Sequence, residues 1–137
     1  LIQRGFAERA YTNIISTLDT YMGKVFEQIC IEYMWREYDK LPVQFTEIGP
    51  WWGANRTKKQ TEEIDIVATD GKSAIFCECK WRNKTVTEDI LQTLIDRSML
   101  VDVEQRYYMI FSKSEYSNEC QKTASRLGIQ LIQFSEM

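Results

Sequence analysis

The chain has 137 residues, 44% of them hydrophobic and 27% charged, with a net charge of −3 at pH 7. That size suits one domain with a real core. The 12% aromatic content and two prolines exclude a disordered chain, and the acidic balance counts against a strongly basic nucleic-acid binder.

Histidine triads and histidine general bases are excluded, because the chain has no histidine. No CxxC pair is present to suggest structural zinc. Cys30, Cys77, Cys79 and Cys120 read as reduced, buried thiols of a cytoplasmic protein. No apolar stretch approaches the roughly 20 residues of a membrane helix. The sequence opens at Leu1 rather than methionine. The expected organisation is therefore a segment at 1–19 continuing from an upstream region, followed by one domain at 20–137.

In chain order, Ile14, Ile15 and Leu18 suggest a short helix, and Thr20 is placed to cap the next one. Met22, Val25, Phe26, Ile29 and Tyr33 recur at helical spacing to about residue 38. Glu27 lies at the edge of that stripe. Residues 43–48 alternate weakly and read as a strand, and the glycines and proline of 49–53 read as a turn. Residues 55–59 make a polar, basic loop. Two strand-like segments, 62–68 and 74–81, flank Asp70-Gly71, a two-residue hairpin signal. Thr85 and Glu88 make a capping box for a helix to about residue 101, with Ile90, Leu91, Leu94, Ile95 and Met99 apolar. Residues 107–111 are a continuous apolar run, as for a strand buried on both faces. A helix at 116–127 closed by Gly128 and a strand at 129–134 complete the order. Helix, three strands, helix, strand, helix, strand implies an α/β domain with parallel neighbours where helices intervene.

The hairpin carries the chemistry. A two-residue turn sets Val67 opposite Ala74, Asp65 opposite Phe76 and Glu63 opposite Glu78. Strand alternation then puts Glu63, Asp65, Glu78 and Lys80 on one face, with Asp65 and Glu78 diagonal neighbours. Like charges so placed repel, and a hard divalent cation relieves the repulsion. The expected ligands of magnesium or manganese are Asp65 and Glu78, with Glu63 either a third ligand or a strand-end charge. Glu27 could reach the metal directly or through water, and the Cys79 carbonyl could add an oxygen. The matching reaction is phosphodiester hydrolysis, in which the metal polarises a phosphoryl oxygen and acidifies a water. Lys80 could hold that water or stabilise transition-state charge. Arg56, Lys58 and Lys59 are candidates for phosphate contacts. Trp51, Trp52 and Trp81 read as packing residues before stacking platforms, and Gln92 as a surface residue.

Glu27 on a helix, Asp65 on a strand and Glu78-Cys79-Lys80 on the next resemble the PD-(D/E)XK nuclease superfamily. Tyr21-Met22-Gly23-Lys24-Val25-Phe26-Glu27, Gly49-Pro50-Trp51-Trp52, Glu63-Ile64-Asp65-Ile66-Val67-Ala68 and Glu78-Cys79-Lys80-Trp81 resemble, more closely, a domain of unknown function at the C-terminus of archaeal-type P-loop ATPases. The resemblance covers roughly residues 18–134. It implies a restriction-endonuclease-like core, a mixed β-sheet flanked by helices in the order αβββαβ plus a C-terminal αβ. It matches Glu27, Asp65, Glu78 and Lys80 to the superfamily's catalytic positions, with Ile64 where a proline often precedes the aspartate. It also implies an upstream ATPase and winged-helix region. This chain has no GxxxxGK[ST] motif of its own.

The expected function is a metal-dependent DNA nuclease domain acting with that ATPase. The alternative is a non-catalytic DNA-binding, docking or regulatory module that keeps the fold. DNA, the upstream region and a second copy of the chain are the expected partners, with no membrane.

Overall fold

The computed structural model describes residues 2–137, with side chains from residue 5 onward. It is an α/β fold, a five-stranded mixed sheet flanked by helices, in the expected element order. Helix α1 spans Ile2–Arg36. The strands are β1 (Glu47–Asn55), β2 (Gln60–Thr69), β3 (Ser73–Lys80), β4 (Gln105–Ser112) and β5 (Gln130–Gln133). Helices α2 (Asp89–Ser98) and α3 (Asn118–Leu127) connect β3 to β4 and β4 to β5. Sheet order follows chain order, antiparallel over β1–β2–β3 and parallel over β3–β4–β5.

Two apolar layers cover the sheet. Phe26, Cys30 and Met34 of α1 pack on Ile66, Ile75, Cys77, Met109 and Phe111. Ile90, Leu91 and Leu94 of α2, with Cys120 and Ala124 of α3, pack on Ile64, Phe76 and Ile110. Strand β3 is buried along most of its length, as a central strand between two helical layers must be.

Several elements differ from the sequence expectation for identifiable reasons. Thr20 caps nothing. Its hydroxyl donates to the Ser16 carbonyl at 3.0 Å, so it sits inside one continuous 35-residue helix. Residues 49–53 are not a turn but the middle of β1. Pro50 is tolerated there because β1 is an edge strand and Pro50 lies opposite a bulge of β2, where the ladder is interrupted and a residue without an N–H is accepted. The capping box at Thr85 is not formed. Glu88 precedes α2 without a side-chain cap, and the Thr87 hydroxyl bonds Asp89 instead. Helix α2 ends at Ser98 and leaves Met99 exposed. Gly128 terminates α3 in the left-handed conformation as expected, at φ 73°.

The β2–β3 turn sits one residue further along than expected: the Asp70 amide donates to the Ser73 carbonyl at 3.2 Å, leaving Gly71-Lys72 at the tip. The Asp70 Oδ1 accepts from the amides of Lys72 at 2.9 Å and Ser73 at 2.8 Å, a side-chain-capped turn, with Gly71 at φ 94°. The observed register sets Thr69 opposite Ala74 and Val67 opposite Phe76, two residues from the expected one. An even slip preserves faces along β3. It also carries Asp65 from a diagonal position to the level of Glu78.

Candidate functional site

The β2–β3 ladder ends at the Ile66–Cys77 pair. Beyond it the Asp65 side chain takes over the role of the missing backbone partner, and its Oδ2 accepts the Cys79 amide at 2.9 Å. The cause lies on the other side of β2, where Gly49 faces Val67 but Trp51 faces Ile64, so two residues of β2 oppose Pro50. Asp65 is one of the two. Ile64 packs in the layer under α2, whereas Ile66 packs under α1. The strand's alternation therefore flips at the bulge residues Asp65 and Ile66; before it, Glu62 and Ile64 face α2, so Glu63 lies on the α1 side of β2, toward Glu27.

Asp65, Glu78, Lys80 and Glu27 come together. Glu78 is buried, 7% exposed, and follows Phe76 on the α2 side of β3. Burial first, then the Asp65 charge, push its carboxyl up from 4.5 to about 7. Lys80 Nζ lies 3.2 Å from its Oε1. Glu27, half-buried on α1, is also pushed up, by burial and then by Asp65, and Lys24 Nζ sits 3.9 Å from it.

Glu63 is exposed, and its charge adds to the rise at Glu27. Among the described residues no group of three or more cysteine and carboxylate side chains is preassembled as a metal cage. The acidic convergence has Asp65 and Glu78 close together, Glu27 beside Asp65, and Glu63 at its exposed edge.

Arg56, Lys58 and Lys59 occupy the exposed β1–β2 loop, where Lys59 adopts φ 54° and the Asn55 Oδ1 accepts the Lys58 amide at 3.2 Å. Trp51 is partly buried under α2, and Trp52 is 58% exposed. Trp81 packs between Phe26 and Phe134, with Lys113 over its ring. Gln92 is a surface residue, bonded to Asp96. The four cysteines are free thiols, and burial holds those of Cys77 and Cys120 above their ordinary range. The Cys79 thiol is raised chiefly by its bond to Cys30.

Two site residues escaped the sequence reading. Arg97, in the last turn of α2, places Nε 3.0 Å from Glu62 Oε2 and Nη1 3.9 Å from Glu78 Oε2. Glu62 is itself buried, and its Oε1 accepts Gln60 Nε2 at 2.8 Å. The available signal was position. Arg97 follows Ile90 and Leu94 at helical spacing, so a cation lies on the buried face of α2.

Sheet, helices and acidic convergence together define an α/β domain with a carboxylate–lysine site at the end of a hairpin. The chain belongs to a family described as archaeal and bacterial proteins of unknown function, matched over residues 1–92. It is 34% identical over 107 residues to an uncharacterized protein of Methanocaldococcus jannaschii, covering 72% of this chain and 23% of that protein. An uncharacterized protein of Archaeoglobus fulgidus is 30% identical over 77 residues, 54% of this chain and 44% of the other. The chain thus spans less than half the length of either relative. Among solved structures, a protein of unknown function superposes with a TM-score of 0.50 at 26% identity, over 66% of this chain and 50% of its own. A DNA modification-dependent restriction endonuclease gives a TM-score of 0.39 at 14% identity, over 84% of this chain and 32% of its own. No helix among the described residues is long and apolar enough to cross a membrane.

Proposed function

We propose that this domain is a magnesium- or manganese-dependent DNA nuclease module that hydrolyses phosphodiesters. The observation that carries the reading is the placement of Asp65 against buried Glu78, with Lys80 3.2 Å from the latter. Two carboxylates in that position hold a proton or a cation, and their oxygen donors suit a hard divalent ion. Asp65 and Glu78 would hold the metal, with Glu27 supplying a further oxygen. When bound, such a metal polarises a phosphoryl oxygen and acidifies a water. Lys80, released from Glu78, presents its ammonium to the negative charge that grows on the phosphate oxygens. Arg56, Lys58 and Lys59 on the β1–β2 loop hold the DNA backbone. In the longer protein the module works beside an ATPase and winged-helix region, in the cytoplasm. The small share of each relative that the chain spans leaves room for those regions.

One observation favours the alternative of a non-catalytic DNA-binding or docking module. Glu78 already has cationic partners in Lys80 and Arg97.

Manganese titration of the metal-free protein, followed by cleavage assays on linear, nicked and branched DNA, tests the reading. Native-state binding should raise the melting temperature by mass action. Absence of both binding heat and a melting shift at millimolar manganese would remove the metal. Binding without cleavage on any DNA form would select the alternative.

A further inference from the structure

Glu78 is held from two sides. Lys80 comes from its own strand, and Arg97 comes from α2 across the sheet face. Arg97 does not reach Glu78 by chance of rotamer. Glu62 fixes its Nε at 3.0 Å, and Gln60 fixes Glu62 in turn at 2.8 Å. Glu62 is 6% exposed and the Arg97 side chain 31%, so the tether is anchored at its buried end while the guanidinium tip keeps access to solvent. The 3.9 Å separation between Arg97 Nη1 and Glu78 Oε2 is charge pairing rather than a tight hydrogen bond. Such a contact is easily exchanged for another cation.

We propose that Arg97 is a built-in counter-ion of Glu78 that a divalent cation must displace, so that the Glu62–Arg97 pair sets the metal affinity of the site. The proposal rests on the metal-dependent reading above. It makes Arg97 a positioning residue and Glu62 the residue that restrains it. A guanidinium beside a metal ligand opposes cation binding by charge and by occupying the carboxylate. Removing it should tighten binding. Removing Glu62 should weaken binding, because Arg97 is then shared by one carboxylate instead of two.

The test is manganese binding to the metal-free protein by calorimetry at one fixed pH, without any cleavage readout. Arg97→Gln should bind manganese roughly fivefold or more tightly, the low end of coupling between interacting sites. Glu62→Gln should bind more weakly, and Arg97→Lys should fall between wild type and Arg97→Gln. Arg126→Gln removes the same charge from exposed α3 and should leave the affinity unchanged. Should Arg97→Gln fail to fold because Glu62 is left buried and unpaired, the double variant Glu62→Gln/Arg97→Gln restores neutrality. It should bind more tightly than Glu62→Gln alone.

Wild type that binds manganese while folded Arg97→Gln binds equally or less tightly overturns the counter-ion role and leaves the nuclease reading standing. No binding by wild type or any variant overturns both. Binding that appears only on removal of Arg97 removes the metal from the wild-type protein, and with it the role of the Glu62–Arg97 pair in setting metal affinity there.

Discussion

At the residue scale, Glu78 sets a pH signature for the metal-free protein. Its carboxyl is raised from 4.5 to about 7, chiefly by burial and then by Asp65. The native state therefore holds a proton that the unfolded chain gives up at lower pH. The associated stability is fully present below about pH 4.5 and is lost as pH rises through about 7. The loss should be on the order of 3 kcal/mol or less, since one pKa unit is about 1.4 kcal/mol and Asp65 shares the titration. Denaturant melts between pH 4 and 8 check this, and Glu78→Gln should flatten that part of the profile. Asp65→Asn keeps a carbonyl oxygen for the Cys79 amide, so it should fold and be at least as stable as wild type near pH 7, while abolishing cleavage. An unfolded Asp65→Asn would make that carboxylate structural. Lys80→Ala separates two roles. If the ammonium acts on the transition state, single-turnover cleavage should fall about 100- to 1,000-fold with DNA affinity nearly unchanged. A fall in DNA binding with a flatter salt dependence would make Lys80 a backbone contact instead.

At the element scale, the hairpin shows how much was legible and what hid the rest. Hydrophobic runs and Asp70-Gly71 located β2 and β3, and period-two alternation placed Glu78 and Lys80 together, because β3 is regular. Register was missed by two residues because Asp70 caps its own turn through the Lys72 and Ser73 amides, a contact that dipeptide statistics do not reveal. Alternation fails at the bulge opposite Pro50, which puts Ile64 and Ile66 on opposite faces of the sheet. A proline in a strand was itself the sign of a bulge, but only once 49–53 is seen as strand. Its glycines suggested a turn for the wrong reason. A Cβ on Gly53 would lie 2.2 Å from the Trp51 indole, so the glycine makes room for a ring laid along the strand. Gly53→Ala should drive that indole out of its partly buried seat and cost about 1–3 kcal/mol. The checks are a lower denaturation midpoint and a red-shifted tryptophan emission. An unchanged midpoint would show that the ring slides aside freely.

At the scale of the whole molecule, α1 joins two unlike environments in one helix. From Phe26 to Met34 it packs into the core through Phe26, Cys30 and Met34. Before that, Phe6, Tyr11, Ile14, Leu18 and Tyr21 are 73%, 68%, 57%, 51% and 63% exposed. Burial of one face supplies most of a helix's stability in a protein, and a free stretch of one or two dozen residues is marginal alone. Support therefore changes along one continuous helix, with no break in secondary structure near residue 20. Amide exchange should show it. Protection in α1 should be high from 26 to 34 and fall steadily toward the N-terminus, the local-opening behaviour of a segment with few tertiary contacts. A chain shortened to begin at residue 20 should keep the sheet, the Asp65–Glu78 pair and a denaturation midpoint close to that of the full chain. Core packing begins only at Phe26, and the exposed turns contribute little area. Uniform protection along α1, or collapse of the shortened chain, would mean that the first half of the helix is held by contacts of its own and belongs to the folding unit.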